Sequence, residues 1–495
     1  MNLLSATFWT SLAGAVLLCL IPKEKKMAIK VIALTTGSIC LTLSLLVYFG
    51  YDKELGGLQF VLKRPWIPEM GMSFHVGADG INLPLVLLTG FIMFTGILIA
   101  WNVEDRTKEF FILFLTLVTG VFGVFVSMDL FLLFIFYELA VVPMYLLIGV
   151  WGSTRKEYGA MKLTLYLLVG SAILFVGMLA LYVESGMRTF DLLELSNAHF
   201  QRNFQIIVFP LVFVGFGILA GMWPLHTWSP VGHVAAPTSV SMLHAGVLMK
   251  LGAYGCFRVA MVLFPEGARF WLPWVAMLAT VNIVYGSMVA MVQRDFKFVI
   301  GYSSVSHMGF VLLGLASMNE VGITGAVLQM FSHGIMTGLF FAIVGRMVYD
   351  RTHTRDMEVL GGLAEPLPFA NFCFIVGGFA SMGLPGLSGF IAELQILIGT
   401  WRAYPILAAL TGIGIVVTAA YILRVMHKVF YKEPAMEFHH LTPITGFEKL
   451  AGIILVANLI MIGLYPSIMI NLIRSSVEPL VQTLFPIGIG LKASL

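Results

Sequence analysis

Hydrophobic residues in this chain come in long unbroken runs. They show neither the alternation of a half-buried strand nor the one-sided stripe of a surface helix. A helix needs ~20 apolar residues to cross the hydrocarbon core of a bilayer. Cutting the sequence at its charged and Pro/Gly-rich breaks gives about fourteen such runs, near 3–21, 29–50, 83–101, 109–126, 129–150, 161–183, 205–226, 239–263, 271–292, 298–317, 321–347, 369–401, 405–427 and 449–471. The pattern predicts an all-α polytopic membrane protein with about 14 transmembrane helices. The first run lacks a basic leader and an AxA cleavage site, so it reads as a retained span. The stretch after Pro479, LVQTLFPIGIGLKASL, is apolar but short and broken by Pro and Gly, and is expected to lie at the interface.

Two runs are interrupted. The seventh leads into GMWPLHTWSPVGH (221–233) around Pro224, and the twelfth contains SMGLPGLSG (381–389) around Pro385. Proline removes a helix hydrogen bond and kinks the chain. In lipid, the freed carbonyls survive only where protein or water surrounds them. The breaks lie five runs apart, which predicts two inverted five-helix repeats, each with a broken helix, and an ion path near the midplane. The expected organisation is N-terminal helices and a periplasmic loop over 1–108, a first repeat over 109–263, a second over 271–431, and a C-terminal helix and tail over 432–495.

Composition agrees with this class: 59% of residues are hydrophobic, 11% are charged, and mean hydropathy is +0.93. A soluble protein could not cover its surface from so few polar groups. The net charge of +3 is too small to imply nucleic-acid binding, so the placement of charge matters more. Alternate loops holding KEKK (23–26), EDRTK (104–108), TRKE (154–157), QRDFK (293–297), DRTHTR (350–355) and Lys428/Lys432 carry, with their flanks, about 18 of the 29 Lys and Arg. That side is expected to be cytoplasmic. Both termini then face the periplasm of a bacterial inner membrane. Cys19, Cys40, Cys256 and Cys373 lie in apolar runs without CxxC spacing and read as small hydrophobes. The histidines show no metal spacing, and no nucleotide-binding glycine motif or haem-type His pair occurs. Energy for any transport must therefore come from a partner.

One run, FLLFIFYELAVVPMYLLIG (131–149), carries a single acid, Glu138, near its middle. Holding a charge at the bilayer centre costs ~2.5–3.5 kcal/mol or more. Lys250 in HAGVLMKLGAYG and Glu393 in GFIAELQILIG are similarly placed, as are His226, His233, His244, His307 and His333. Each has a plain reading as a core group satisfied by a neighbouring helix. Proton exchange gives them a second reading, because a neutralised group escapes the desolvation penalty. Five histidines among these acids and lysines are suited to passing protons between them. Arg258, Arg346 and Arg424 lie nearer span ends and are expected to reach the headgroups or cap helix C-termini.

YELAVVPMYLLIGVWG (137–152), PLHTWSPVGHVAAP (224–237), VLMKLGAYG (247–255), FVIGYSSVSHMGF (298–310), MFSHGIMTGLFF (330–341) and GFIAEL (389–394) follow one another in order. Over about residues 80 to 430 the chain resembles the antiporter-like membrane subunits of respiratory complex I, the proton-translocating NADH:quinone oxidoreductase, in its subunit M (chain 4) branch. Subunits of Mrp-type cation/proton antiporters and of membrane-bound hydrogenases share the same core and are the alternative. The chain ends soon after the fourteenth run, without room for the long lateral helix of some members. The resemblance implies a proton relay through Glu138, Lys250 and Glu393, connected by His226, His233, His244, His307 and His333. It implies other membrane-arm subunits as partners in the bilayer, with NADH, FMN, Fe–S clusters and quinone held by partner subunits and no redox centre or cofactor in this chain. A seventh-span lysine that pairs with the fifth-span glutamate in the family is replaced here by Leu219, and an aspartate of the next motif by Val231. Three accounts stay open: His244 takes the partner role, Lys250 pairs with Glu138 directly, or this half conducts poorly.

Overall fold

The computed structural model describes residues 2–433, 438 and 441–485. Helices α1 (Leu3–Leu20) and α2 (Lys26–Gly50) precede a hairpin of β1 (Gln59–Ile67) and β2 (Met72–Ala78). Then come α3 (Leu83–Asn102), α4 (Thr107–Val126), α5 (Leu130–Trp151) and α6 (Lys156–Ser185). The short α7 (Leu192–Ser196) leads to α8 (Arg202–Ala220), α9 (Trp228–Ala235) and α10 (Thr238–Met261). The remainder is α11 (Pro265–Val292), α12 (Phe296–Ala316), α13 (Glu320–Thr352), α14 (Pro368–Ser381), α15 (Ser388–Ala403), α16 (Pro405–Tyr431), α17 (Gly446–Leu464) and α18 (Ser467–Leu484).

Thirteen helices among the described residues are long and apolar enough to cross a membrane. The twelfth run is divided between α14 and α15, as its proline predicts. Sequence neighbours pack together, α4 on α5 and α11 on α12, with longer-range pairs α6 on α8 and α13 on α15. Gly120 and Gly123 let α4 and α5 approach. A Cβ at Gly120 would meet the Ala140 amide at 2.6 Å, and one at Gly123 would enter the Phe136 ring. Helices α10 and α13 are buried along their whole apolar windows, whereas α6 and α16 turn most of theirs outward. A charge on α10 or α13 is therefore surrounded by protein. Both helices also contain π-helical turns, His244–Leu248 and Cys256–Met261 in α10 and Ala342–Tyr349 in α13.

The two breaks are tied by protein groups. After α8, Asn282 of α11 donates to Gly221 O (3.0 Å) and Val305 O (3.1 Å) and accepts from the Trp223 amide. The Trp228 indole donates to Ile218 O at 2.9 Å. After α14, the Leu384 amide returns to Phe379 O at 3.0 Å, and Ser388 meets Ser332 of α13 at 2.7 Å. Freed carbonyls at membrane depth thus find donors inside the bundle, as the missing water requires.

Three expectations need correction. The region between α2 and α3 is not simply a loop, because β1 and β2 pair in antiparallel register. His75 of β2 lies 2.6 Å from Asp191, and Lys63 of β1 is 2.8 Å from Asp191 and 2.7 Å from Glu194, stapling the hairpin to the α6–α8 connection. Burial pushes the Asp191 carboxyl up, but hydrogen bonds from His75 and Lys63 outweigh it and hold the group below the usual carboxylate range. The fourteenth run does not continue to 471. It stops at Leu464, and Pro466 turns the chain into α18, whose Met469, Leu472, Ile473, Val477 and Val481 form a buried stripe on one face. Residues 486–495 of the tail lie outside the described residues. Finally, Arg258 pairs with Asp79, and Arg346 pairs with Glu448 (2.7 Å) and Asp350 (2.5 Å), so neither reaches for headgroups. Arg424 does cap a C-terminus, donating to Met291 O at the end of α11.

Candidate functional site

The buried charges fall into one connected group and one scattered group. Lys250 on α10 has no exposed surface. Its ammonium donates to Ala245 O, in the π-turn one turn earlier, and to Nδ1 of His333 on α13 at 2.8 Å. An acceptor at Nδ1 places the His333 proton on Nε2, which meets no protein partner. The His333 ring lies 5.3 Å from that of His307 on α12, centroid to centroid. His307 Nδ1 is 3.1 Å from Glu393 Oε1, and its Nε2 is 3.0 Å from the Ser381 hydroxyl. Gln329 spans the same gap, with its amide 3.3 Å from His307 and 3.4 Å from Glu393.

The break around Pro385 builds the far end of this line. Ser381 is the last residue of α14, and Glu393 lies within α15. Between them Gly383 has φ +67°, and a Cβ there would come within 3.0 Å of Glu393 Oε2. Only glycine combines that backbone with room for the carboxylate. Charge alone identified Lys250, Glu393 and the histidines. Ser381 and Gln329 are neutral, so a search for titratable groups passes over them.

The other group sits around α5, α6 and α9. Glu138 is partly exposed on α5; its Oε1 has no partner, and Ser171 of α6 is its hydrogen-bonding neighbour. His233 of α9 lies 3.0 Å from Ser229 through Nε2, with Nδ1 unpaired. His244 stacks on Trp228 at 5.2 Å and meets the His233 ring at 4.0 Å, yet neither nitrogen has a partner. Both His226 nitrogens are also unpaired, with the ring edge-on to Tyr285 at 5.3 Å. Leu219, fully buried on α8, adds no polar atom. The structure therefore gives no direct Glu138–His244 hydrogen bond, and Lys250 is engaged with His333 and not with Glu138.

Residues 127–418, which include every group in both clusters, match the family model described as NADH:quinone oxidoreductase/Mrp antiporter, TM. The chain belongs to this family. It is 38% identical to NADH-quinone oxidoreductase subunit M of Rhodobacter capsulatus, over 97% of this chain and 96% of that one. It is 37% identical to NAD(P)H-quinone oxidoreductase chain 4-3 of Nostoc sp., over 86% of this chain and 78% of the relative. Among solved structures, a chain of respiratory complex I from Thermus thermophilus with bound NADH superposes with a TM-score of 0.89 at 28% identity, covering 97% of this chain and 98% of that one. A chain of the Mrp complex from Dietzia sp. DQ12-45-1b reaches 0.87 at 20% identity over 98% of each, a likeness of fold alone.

Proposed function

We propose that this chain is a proton-translocating membrane-arm subunit of NADH:quinone oxidoreductase. The observation that carries the reading is the buried line Lys250–His333–His307–Glu393 inside a membrane bundle. Its relatives named as subunit M or chain 4 of such oxidoreductases supply the redox context. NADH, FMN, Fe–S clusters and quinone are assigned to partner subunits. This chain's own part is to hold and move protons.

The chemistry follows from contacts. A Lys250 ammonium can hand a proton to His333 Nδ1, leaving a neutral amine and an imidazolium that releases its other proton from Nε2. His333 and His307 share no hydrogen bond, so a water between the rings is assigned the next transfer; His307, protonated on both nitrogens, then gives the Nδ1 proton to the Glu393 carboxylate, which discharges beside the broken helix. Each transfer moves charge within a low-dielectric interior, so neighbouring charges bias it strongly. A shift of charge imposed at one flank by a partner subunit would then drive uptake from the cytoplasmic, basic-loop side and release on the other. Glu138 is assigned the role of acceptor and coupling switch at that flank. Both termini are assigned to the release side.

The test is to follow NADH-driven proton pumping and quinone reduction together in membranes carrying wild type and Lys250→Met. Loss of both is expected. Unchanged pumping would overturn the relay. The shared family with Mrp antiporters supports a second reading as a cation/proton antiporter subunit. That reading predicts Na⁺-driven proton movement without NADH, abolished by the same substitution.

A further inference from the structure

A relay needs a way in from the cytoplasmic side, and a cavity lies there that the relay residues do not line. It holds about 220 Å³ and is walled by Ser153, Thr238, Ser239, Lys297, Arg346 and Arg355, among others. An outer hollow of about 380 Å³, walled partly by Thr154, Arg294 and Asp356, adjoins it at Tyr349 and Arg355. At the inner wall stands Lys297, the second residue of α12, next to its N-cap Asp295 and only 3% exposed. A cation in the first turn faces the positive end of its own helix, and burial adds a desolvation cost. Lys297 makes no ion pair among the described residues. Something else must hold it.

What holds it is the end of α9. The Lys297 ammonium donates to Ala236 O at 2.6 Å and Val234 O at 3.2 Å. Arg355 reaches Val234 O at 3.3 Å, the Ser153 amide donates to Ala235 O at 2.8 Å, and the Ser241 hydroxyl donates to His233 O at 2.8 Å. All the carbonyls that a helix leaves unsatisfied at its C-terminus are thus collared from outside. Helix α9 has eight residues, too few to be stable alone. Its last turn carries His233, whose ring meets His244 at 4.0 Å. The collar therefore sets the spacing of that histidine pair.

We infer that Lys297 is a positioning residue: by clamping the C-terminal turn of α9 it fixes the His233–His244 contact on the segment that continues into the cavity wall at Ala236 and Ser239. The inference rests on the relay reading above. It assigns Lys297 no proton transfer of its own, since its partners are backbone carbonyls.

The experiment compares Lys297→Met and Lys297→Arg in the intact membrane complex, with assembly checked on native gels. Lys297→Met is expected to lower NADH-driven pumping and the maximal quinone-reduction rate by on the order of tenfold to a hundredfold, with the KM for quinone unchanged. Lys297→Arg keeps the donors and should restore most of the rate. Hydrogen exchange in the 228–241 segment should speed up in the Met variant, while α1 and α2 exchange as in wild type. Wild-type pumping, or unchanged exchange over 228–241, would overturn the inference. So would equal loss in the Arg and Met variants. If the Met variant does not assemble, Lys297→Gln is read by the same two measurements. A complex that pumps normally with Lys297→Met but not with Lys250→Met sinks this inference alone, whereas normal pumping with Lys250→Met sinks the relay.

Discussion

Lys250 is hydrogen-bonded to His333 and His307 is paired with Glu393, with one ring-to-ring step of 5.3 Å between the two histidines, while from Glu138 to His244 the one close pair, His233 and His244 at 4.0 Å, shares no hydrogen bond. The first region is held by side chains on α10, α12, α13 and α15, of which α10 and α13 are wholly enclosed. The second contains Glu138 Oε1 and both nitrogens of His226 and His244 without protein partners. The difference teaches where the fold does the connecting. Where side chains meet, proton order is written into the packing. Where they do not, a buried polar atom must be met by water or by a neighbouring subunit to avoid its desolvation cost. Leu219, buried on α8, adds no polar atom to the second region.

The largest effect expected is from Lys250→Met, which removes the head of the connected region. Pumping should fall by about a hundredfold or more, as for loss of a proton-transfer group, in membranes where the complex still assembles. Glu393→Gln keeps a hydrogen bond to His307 but cannot take its proton, and roughly a tenfold loss is expected in the same assay. Glu138→Gln probes the unconnected region and should cost less, on the order of a few-fold. An effect as large as that of Lys250→Met would show that the two regions work as one despite the gap. Leu219→Lys sharpens the contrast. In a double-mutant cycle with Glu138→Gln it should reveal a coupling of roughly 0.5–3 kcal/mol in the pumping rate. A coupling near zero would mean that position 219 cannot reach Glu138 in this fold.

The smallest effect on transport belongs to the hairpin. Asp191→Asn breaks the contacts with His75 and Lys63, and hydrogen exchange over β2 should rise by on the order of tenfold or more, with NADH oxidation close to wild type. The pH dependence follows from the sign. Because the folded Asp191 carboxyl is held below its ordinary range, its contribution is complete above about pH 4 and is lost only as pH falls further. Wild-type protection over β2 should therefore show no Asp191 step between about pH 5 and 8.

Much of this was legible in the sequence. Spans announce themselves because lipid demands unbroken apolar runs, and the two breaks because proline cannot continue a helix. Lys250, Glu393, His307 and His333 stood out as charge where charge is costly, and they come together as one line. Two kinds of information were hidden. Neutral bridges such as Gln329, Ser381 and Asn282 carry no such signal, and their importance lies in what faces them across helices. The hairpin was hidden because KRPWIPEMG holds a turn's residues at its centre, and its strands are tied to residues distant in sequence, Asp129 and Asp191 among them. The partner of Glu138 also depended on packing: His244 turns to His233 and Trp228, and Lys250 to His333.

The π-turn at His244–Leu248 has a consequence for the gene. A wide turn of this kind houses one surplus residue inside an otherwise regular helix. The residues on either side keep the phase of a helix one residue shorter, so the azimuth of Lys250 depends on a residue count as much as on its own codon. Deleting one codon from 245–247 would let the turn close to regular helix with Lys250 still facing His333. A one-residue deletion in the regular helix between the turn and the lysine would instead swing it by about 100°. The wide turn is where this helix can absorb a change of length.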